Sequence, residues 1–239
     1  GSAPQHQAAA SDQPPASAPP RKPPAAAKQP PRGVAALPPL PRKQAASGSG
    51  AAARAATPAQ LLILDTETTA LSPDLGQCIE VGAVLFDVAN RSTLMQVSFL
   101  LPCERNQAEA INGIPAAVSR LAQPWTLGLS CFQAMVQSAD ALLAHNAAFD
   151  RQWFGRGELP ALDRPWICSM EDIRWPAERR LRPNPSVRDL ALAYGVPVWE
   201  AHRALTDCIY LVQVLQREGD LPQLLQAALE PRSLVRARL

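Results

Sequence analysis

An α/β protein, one mixed β-sheet with helices on its faces, is predicted by three observations on this chain. The first is Leu61-Leu62-Ile63-Leu64, an unbroken apolar run leading straight into Asp65 and Glu67. A short run of that kind reads as a strand covered on both faces. The second is the succession of elements after this run, a hairpin and then alternating strands and helices, which suits a single sheet packed between helices. The third is a break in texture near Gln60, before which almost no large apolar side chain occurs.

Residues 1–56 are dominated by Ala, Pro, Ser and Gln, with proline pairs at 14–15, 19–20, 23–24, 30–31 and 38–39. Such a segment buries too little surface to offset its ordering entropy, so it is read as a disordered Ala/Pro-rich basic tail with extended polyproline stretches. Two roles fit it, a solubilising linker or a basic arm that engages nucleic acid or a partner protein. A domain is expected over 57–220 and a C-terminal helix or tail over 221–239.

Within the domain the first strand is 61–65, followed by a Ser72-Pro73-Asp74 turn. Apolar runs then predict strands at Cys78–Phe86 and Leu94–Leu101, with Asn90-Arg91 as the hairpin turn between them. A helical pattern spans roughly 115–140. A strand comes next at Ala141–Ala144, ending at His145-Asn146, and a helix starts near Phe149. Trp166–Ser169 is the last strand. Helices fit 186–194 and 203–217, the first stopped by Gly195 and Pro197.

Composition narrows the function classes. A hydrophobic fraction of 47% suffices for a core, and no apolar run is long enough to cross a bilayer, so no membrane partner is expected. The five cysteines are scattered and form no CxxC pair, which argues against a disulfide framework or a zinc site and for a reducing, cytoplasmic setting. The net charge of +2 hides an asymmetry: residues 1–56 carry seven basic residues and one acid, leaving 16 basic and 20 acidic residues for the rest. Arg179, Arg180, Arg182 and Arg188 form a local basic cluster that suits either phosphate contacts or a solvated loop.

The chemistry concentrates in acids. Side chains alternate along a strand, so Asp65 and Glu67 point to the same side of the sheet. Two carboxylates at the end of a buried strand repel each other and stay ionised most easily with a divalent cation between them. Asp150 stands where a helix begins after the fourth strand. Asp207 lies within the apolar-periodic helix 203–217, where an acid on the buried side needs a partner or a metal. Alone, these two would read as a helix cap and a surface acid. His202 falls five residues before Asp207, on a different helix face, which places it on the loop before the helix. A neutral imidazole there can accept a proton.

Three segments, DTET at 65–68, HNAAFD at 145–150 and HRALTD at 202–207, resemble in order and spacing the three motifs of the DEDDh family of 3′→5′ exonucleases. That family includes the proofreading subunit of bacterial replicative polymerase, RNase T and oligoribonuclease. The resemblance runs from about residue 60 to 217. Asn112-Gly113-Ile114-Pro115 is similar to the HGI segment of proofreading-like members. The branch that uses Tyr would place it four residues before the last Asp, where this chain has Arg203.

The resemblance implies an RNase H-like fold and hydrolysis of phosphodiester bonds by two Mg²⁺ ions, with Mn²⁺ as a substitute. It implies that Asp65 bridges both ions, that Glu67 and Asp207 complete one site, that Asp150 supports the other, and that His202 is the general base. The implied partner is nucleic acid with a free 3′ end, most simply single-stranded DNA. Alternatives are an RNA-directed exonuclease of the RNase T or oligoribonuclease kind, and an end-trimming subunit of a larger DNA-processing machine such as CRISPR adaptation. A non-catalytic nucleic-acid-binding module is disfavoured by the intact five-residue set.

By the same similarity, backbone at Thr68 and Thr69 and the side chain of Leu71 hold and wedge the 3′ nucleotide. Phe149 and Trp153 either stack on bases or belong to the core. Asn146 either orients the site or caps a helix. Glu80 reads as structural. The chain departs from the pattern at Asn112, where many relatives carry His, and at Cys168-Ser169-Met170, which replaces an acid and a threonine. Its extension is N-terminal rather than C-terminal. Substrate preference, pathway and oligomeric state stay open.

Overall fold

Alternation along β1 (Gln60–Thr68) divides the core in two, and the same alternation aims the acids. In this computed structural model, which describes residues 56–199 and 202–230, Leu61 and Ile63 face one side of the sheet and Leu62 and Leu64 the other. All four are fully buried, and each contributes roughly 1.5–3 kcal/mol by leaving water. The expected disordered tail, except its last residue, and residues 231–239 lie outside the described residues.

Four more strands complete one sheet: β2 (Cys78–Asp87), β3 (Ser92–Leu100), β4 (Ala141–Ala144) and β5 (Trp166–Cys168). The order is β3-β2-β1-β4-β5. β1 runs antiparallel to β2, and β2 to β3, whereas β4 pairs parallel with both β1 and β5. This is the mixed sheet expected from the sequence. The helices are α1 (Glu109–Asn112), α2 (Ala116–Ser119), α3 (Trp125–Ser138), α4 (Ala147–Arg151), α5 (Val187–Ala193), α6 (Ala204–Arg217) and α7 (Leu221–Leu229). Helices α5, α6 and α7 cover the Leu61/Ile63 face, and α3 and α4 cover the Leu62/Leu64 face. Leu221 and Leu225 of α7 are fully buried in the first of these clusters.

Several boundaries differ from the expectation, most by one or two residues, and three differences have a clear physical reason. The single helical pattern over 115–140 is two helices, α2 and α3, because Pro124 lacks an amide hydrogen and α3 starts directly after it. β1 continues to Thr68 instead of stopping at Asp65, since pairing with β2 persists through Glu67 opposite Glu80. α4 begins two residues before Phe149, where Asn146 turns the chain with a positive φ of 59°.

Helix α6 lies directly on the sheet at Gly82. That residue pairs with Asp65, and a Cβ added to it would stand 2.3 Å from the Leu205 nitrogen and 2.4 Å from the Ala204 carbonyl carbon. These are backbone atoms of the first α6 turn, so a side chain there displaces the helix. Gly82→Ala is expected to cost about 1–3 kcal/mol of stability, the usual range for overpacking. Thermal unfolding checks this, and an unchanged Tm would show that α6 shifts freely. The far end of α6 is tied by Arg91, in the β2–β3 turn, whose guanidinium donates to the carbonyls of Gln216 (2.9 Å), Glu218 and Gly219 (2.9 Å).

Candidate active site

Odd-numbered positions of β1 carry the pattern of Leu61 and Ile63 onward to Asp65 and Glu67, toward α6. Even-numbered Thr66 turns the other way and meets α4. Its hydroxyl donates to Asp150 Oδ1 at 2.8 Å. Asp150 is 1% exposed, and its Oδ2 is buried with no hydrogen-bond partner. Glu67, His202 and Asp207 each bring a ligating atom within 4.8 Å of the others. A hydrogen bond from the His202 backbone also reaches the Asp207 carboxylate. Strand β1, helix α4, the loop that enters α6 and the first turn of α6 thus deliver the five motif residues to one cleft.

That cleft has a volume of about 670 Å³ and is lined by Asp65, Glu67, Asp150, His202 and Asp207 together with Thr68, Thr69, Leu71, Asn146 and Phe149. Its electrostatics are strained in one direction. Burial first, and then the neighbouring Asp150, Glu67, Asp207 and Glu80, push the Asp65 carboxyl well above the usual carboxylate range. Burial and then Asp207 raise Glu67 from 4.5 to about 8. Burial raises Asp150 to about 7, against the hydrogen bonds from Thr66 that favour its ionised form. Asp207 rises to about 6, again by burial, with His202 pulling it back. Clustered acids that hold protons near neutral pH are short of positive charge.

A divalent cation fits these residues. The donors are hard carboxylate oxygens, the type that suits Mg²⁺, Mn²⁺ and Ca²⁺. An orphaned oxygen such as Asp150 Oδ2 is costly to bury without a partner, and it belongs to the same cluster. His202 is exposed and takes a positive φ of 62°, uncommon outside glycine, at the point where the loop enters α6.

The remaining expected residues divide. Thr68 and Thr69 are buried, and Thr69 is stapled to Gln77 by backbone and side-chain bonds. The Thr68 carbonyl accepts from Asn112 Nδ2 at 3.2 Å, while Asn112 Oδ1 accepts from Asn106 and from the Ile114 amide. Asn112, the departure from His, therefore braces the end of β1 against the α1 segment. Leu71 is 82% exposed at the cleft. Asn146 makes no capping bond with its side chain, so the cap reading fails and its left-handed backbone is what the turn uses. Phe149 is partly buried and belongs to both readings, lining the cleft while packing edge-on against Trp153 at 6.0 Å. Trp153 is 2% exposed within the core on the α3 and α4 side, which removes it as a stacking surface.

His145 is a structural residue. Its Nε2 stands 2.7 Å from the Pro185 carbonyl, which can only accept, so Nε2 carries the proton and Nδ1 accepts from the Ser169 hydroxyl at 2.8 Å. Burial lowers its pKa and keeps it neutral. The basic cluster is partly structural too: Arg179 lies 4.0 Å over the Tyr194 ring and Arg182 pairs with Asp189, whereas Arg188 lines the cleft. Sequence reasoning missed Ile111 and Tyr210 as cleft residues. Tyr210 sits three positions after Asp207 on α6, a spacing that places both on one helix face and was available as a signal.

Residues 62–215 match the exonuclease family named for RNase T. Among solved structures, exonuclease X in complex with 5′-overhanging duplex DNA is 28% identical, covering 65% of this chain and 89% of its own, with a TM-score of 0.47. Cell-death related nuclease 4 is 22% identical, covering 66% of this chain and 63% of its own, with a TM-score of 0.50. The nuclease domain of 3′hExo, a DEDDh family member bound to rAMP, is 16% identical over 66% of this chain and 90% of its own, with a TM-score of 0.51. The last two likenesses concern the fold. No curated protein matches the chain.

Proposed function

The chain belongs to the RNase T family of DEDDh 3′→5′ exonucleases, and from that premise we propose that it shortens single-stranded DNA from the 3′ end. In this reading Asp65, Glu67, Asp150 and Asp207 would hold two divalent ions, Mg²⁺ or in its place Mn²⁺, and His202 is the general base. Exonucleases of this family are metal-dependent. The observation that carries the reading is the meeting of all five residues in one cleft, with Asp150 Oδ2 unpartnered and Glu67, His202 and Asp207 within 4.8 Å of one another.

Bound ions would offset the charge of the scissile phosphate, favour ionisation of the attacking water and stabilise the leaving 3′-oxygen. The protein's own residues do the rest. His202, exposed beside the carboxylates, takes the proton from that water. Asp207 accepts from the His202 backbone and so fixes where the imidazole starts. Thr66 holds Asp150 in one rotamer by its 2.8 Å bond. Leu71, 82% exposed, Ile111, 66% exposed, and Phe149 offer apolar surface at the cleft on which unpaired bases can stack. That surface supports a single strand over a duplex. Arg188 at the cleft is placed to meet a phosphate.

The test is a time course on 5′-labelled single-stranded DNA, duplex DNA and RNA with Mg²⁺, with Asp65→Ala as control. A ladder shortening from the 3′ end, fastest on single-stranded DNA and absent in the control, is expected. Faster cutting of RNA would move the assignment to the RNA-directed reading. No cutting with either Mg²⁺ or Mn²⁺ would leave a binding module.

A further inference from the structure

Glu80 is a fifth acid that the proposed chemistry does not use, and it is 1% exposed. It sits in β2 directly opposite Glu67, so burial beside four other carboxylates ought to be unfavourable. Its charge is answered from the start of α6 and from β3. Arg203 grips it with a fork, Nε to Oε2 at 3.0 Å and Nη2 to Oε1 at 2.9 Å. The backbone N–H of Ala204, first residue of α6, donates to Oε2 at 3.2 Å, and the Ser98 hydroxyl on β3 donates to Oε1 at 3.0 Å. Arg203 is the residue between His202 and α6.

From this we propose that Glu80 and Arg203 act as one positioning unit, which holds His202 and Asp207 over the β1 carboxylates. The inference rests on the reading of the cleft given above. A two-point guanidinium–carboxylate contact fixes angle as well as distance, which a lone ammonium would not. His202 has a left-handed backbone, a conformation that persists only when its surroundings impose it. The Arg203 fork and the capped first turn of α6 impose it from one side, and the Asp207 carboxylate on the His202 backbone from the other. With Arg91 tying the distant end of α6, the helix is pinned at both ends, and Glu80 sets the end that faces the chemistry. Misplacing a reacting group by a fraction of an ångström to about 1 Å lowers rate far more than binding.

The experiment compares Glu80→Gln, Arg203→Lys and the double variant with the wild type on 5′-labelled single-stranded DNA. Each single change is expected to lower kcat about 10–100-fold while KM stays within about 2-fold. The double variant is expected to be no slower than the slower single, as two parts of one device behave. In metal-free protein, ¹⁵N relaxation should report greater motion at residues 202–207 in both single variants. Should Glu80→Gln fail to fold, Ser98→Ala removes one bond to the same carboxylate and is expected to give the same pattern at about 2–5-fold in kcat. Wild-type kcat with unmoved relaxation overturns the proposal, as do losses that multiply in the double variant or a KM that rises in step. If the wild type cuts no substrate, the function has failed, and the relaxation data alone decide the positioning role.

Discussion

Replacing His202 by Ala is expected to lower turnover about 10²–10⁴-fold, the range that general-base catalysis supplies. Stabilisation of the fold by Mg²⁺ should be retained. The geometry makes the second half of that expectation a real test. His202 lies within 4.8 Å of Glu67 and Asp207, so those three residues could themselves form a ligand set. An imidazole ligand favours Zn²⁺, Cu²⁺, Fe²⁺ or Ni²⁺, whereas carboxylates alone favour Mg²⁺ and Mn²⁺. If His202 is a base, the variant keeps its metal-dependent rise in Tm and loses kcat. If it is a ligand, the rise in Tm shrinks along with activity. Normal turnover in the variant would remove His202 from the chemistry altogether.

That the four motif acids and the histidine meet in one cleft was legible because each lies in a short linear segment whose local structure is set by its own neighbours. The apolar run before Asp65 fixes the strand, the strand period fixes which side Asp65 and Glu67 face, and the apolar stripe of 203–217 fixes α6. Partners separated by long stretches of chain were not legible. Glu80 meets Arg203 across 123 residues, and Asn112 meets Thr68 across 44. No periodicity encodes either pair. An acid inside an otherwise apolar strand did announce that Glu80 needed a partner, without saying which.

Trp153 was ambiguous for a similar reason. An aromatic beside a motif suits stacking on a base or packing in a core, and only the positions of α3 and α4 place it inside. The split of 115–140 into α2 and α3 is a different kind of miss. Pro124 was visible in the sequence, and its missing N–H should have ended the pattern there.

Saturating Mg²⁺ or Mn²⁺ is expected to raise Tm by roughly 5–10 °C, and by more at pH 8 than at pH 6. A ligand present at 100 times its Kd adds about 2.7 kcal/mol, and in a chain of this size each kcal/mol shifts Tm by about 2–4 °C. The pH dependence arises from the direction of the carboxyl shifts. Glu67 is raised to about 8, Asp150 to about 7 and Asp207 to about 6 in the folded protein, from ordinary values of 4.5, 3.8 and 3.8. Without metal, the folded state therefore keeps protons that the unfolded chain releases above the ordinary carboxylate range. The stability these groups contribute is fully present below about pH 4 and is lost as pH rises through 6 to 8. Cations bind the ionised carboxylates, so binding expels those protons and strengthens over the same window. These are one proton linkage seen from two sides: the gap between metal-free and metal-bound Tm widens as pH rises, and it levels off once the carboxyls are ionised without metal. Calorimetry in buffers of different ionisation enthalpy should register proton release on Mg²⁺ binding at pH 6.5. A Tm increment that is flat from pH 6 to 8, with no proton release, would mean that the metal does not meet these carboxylates.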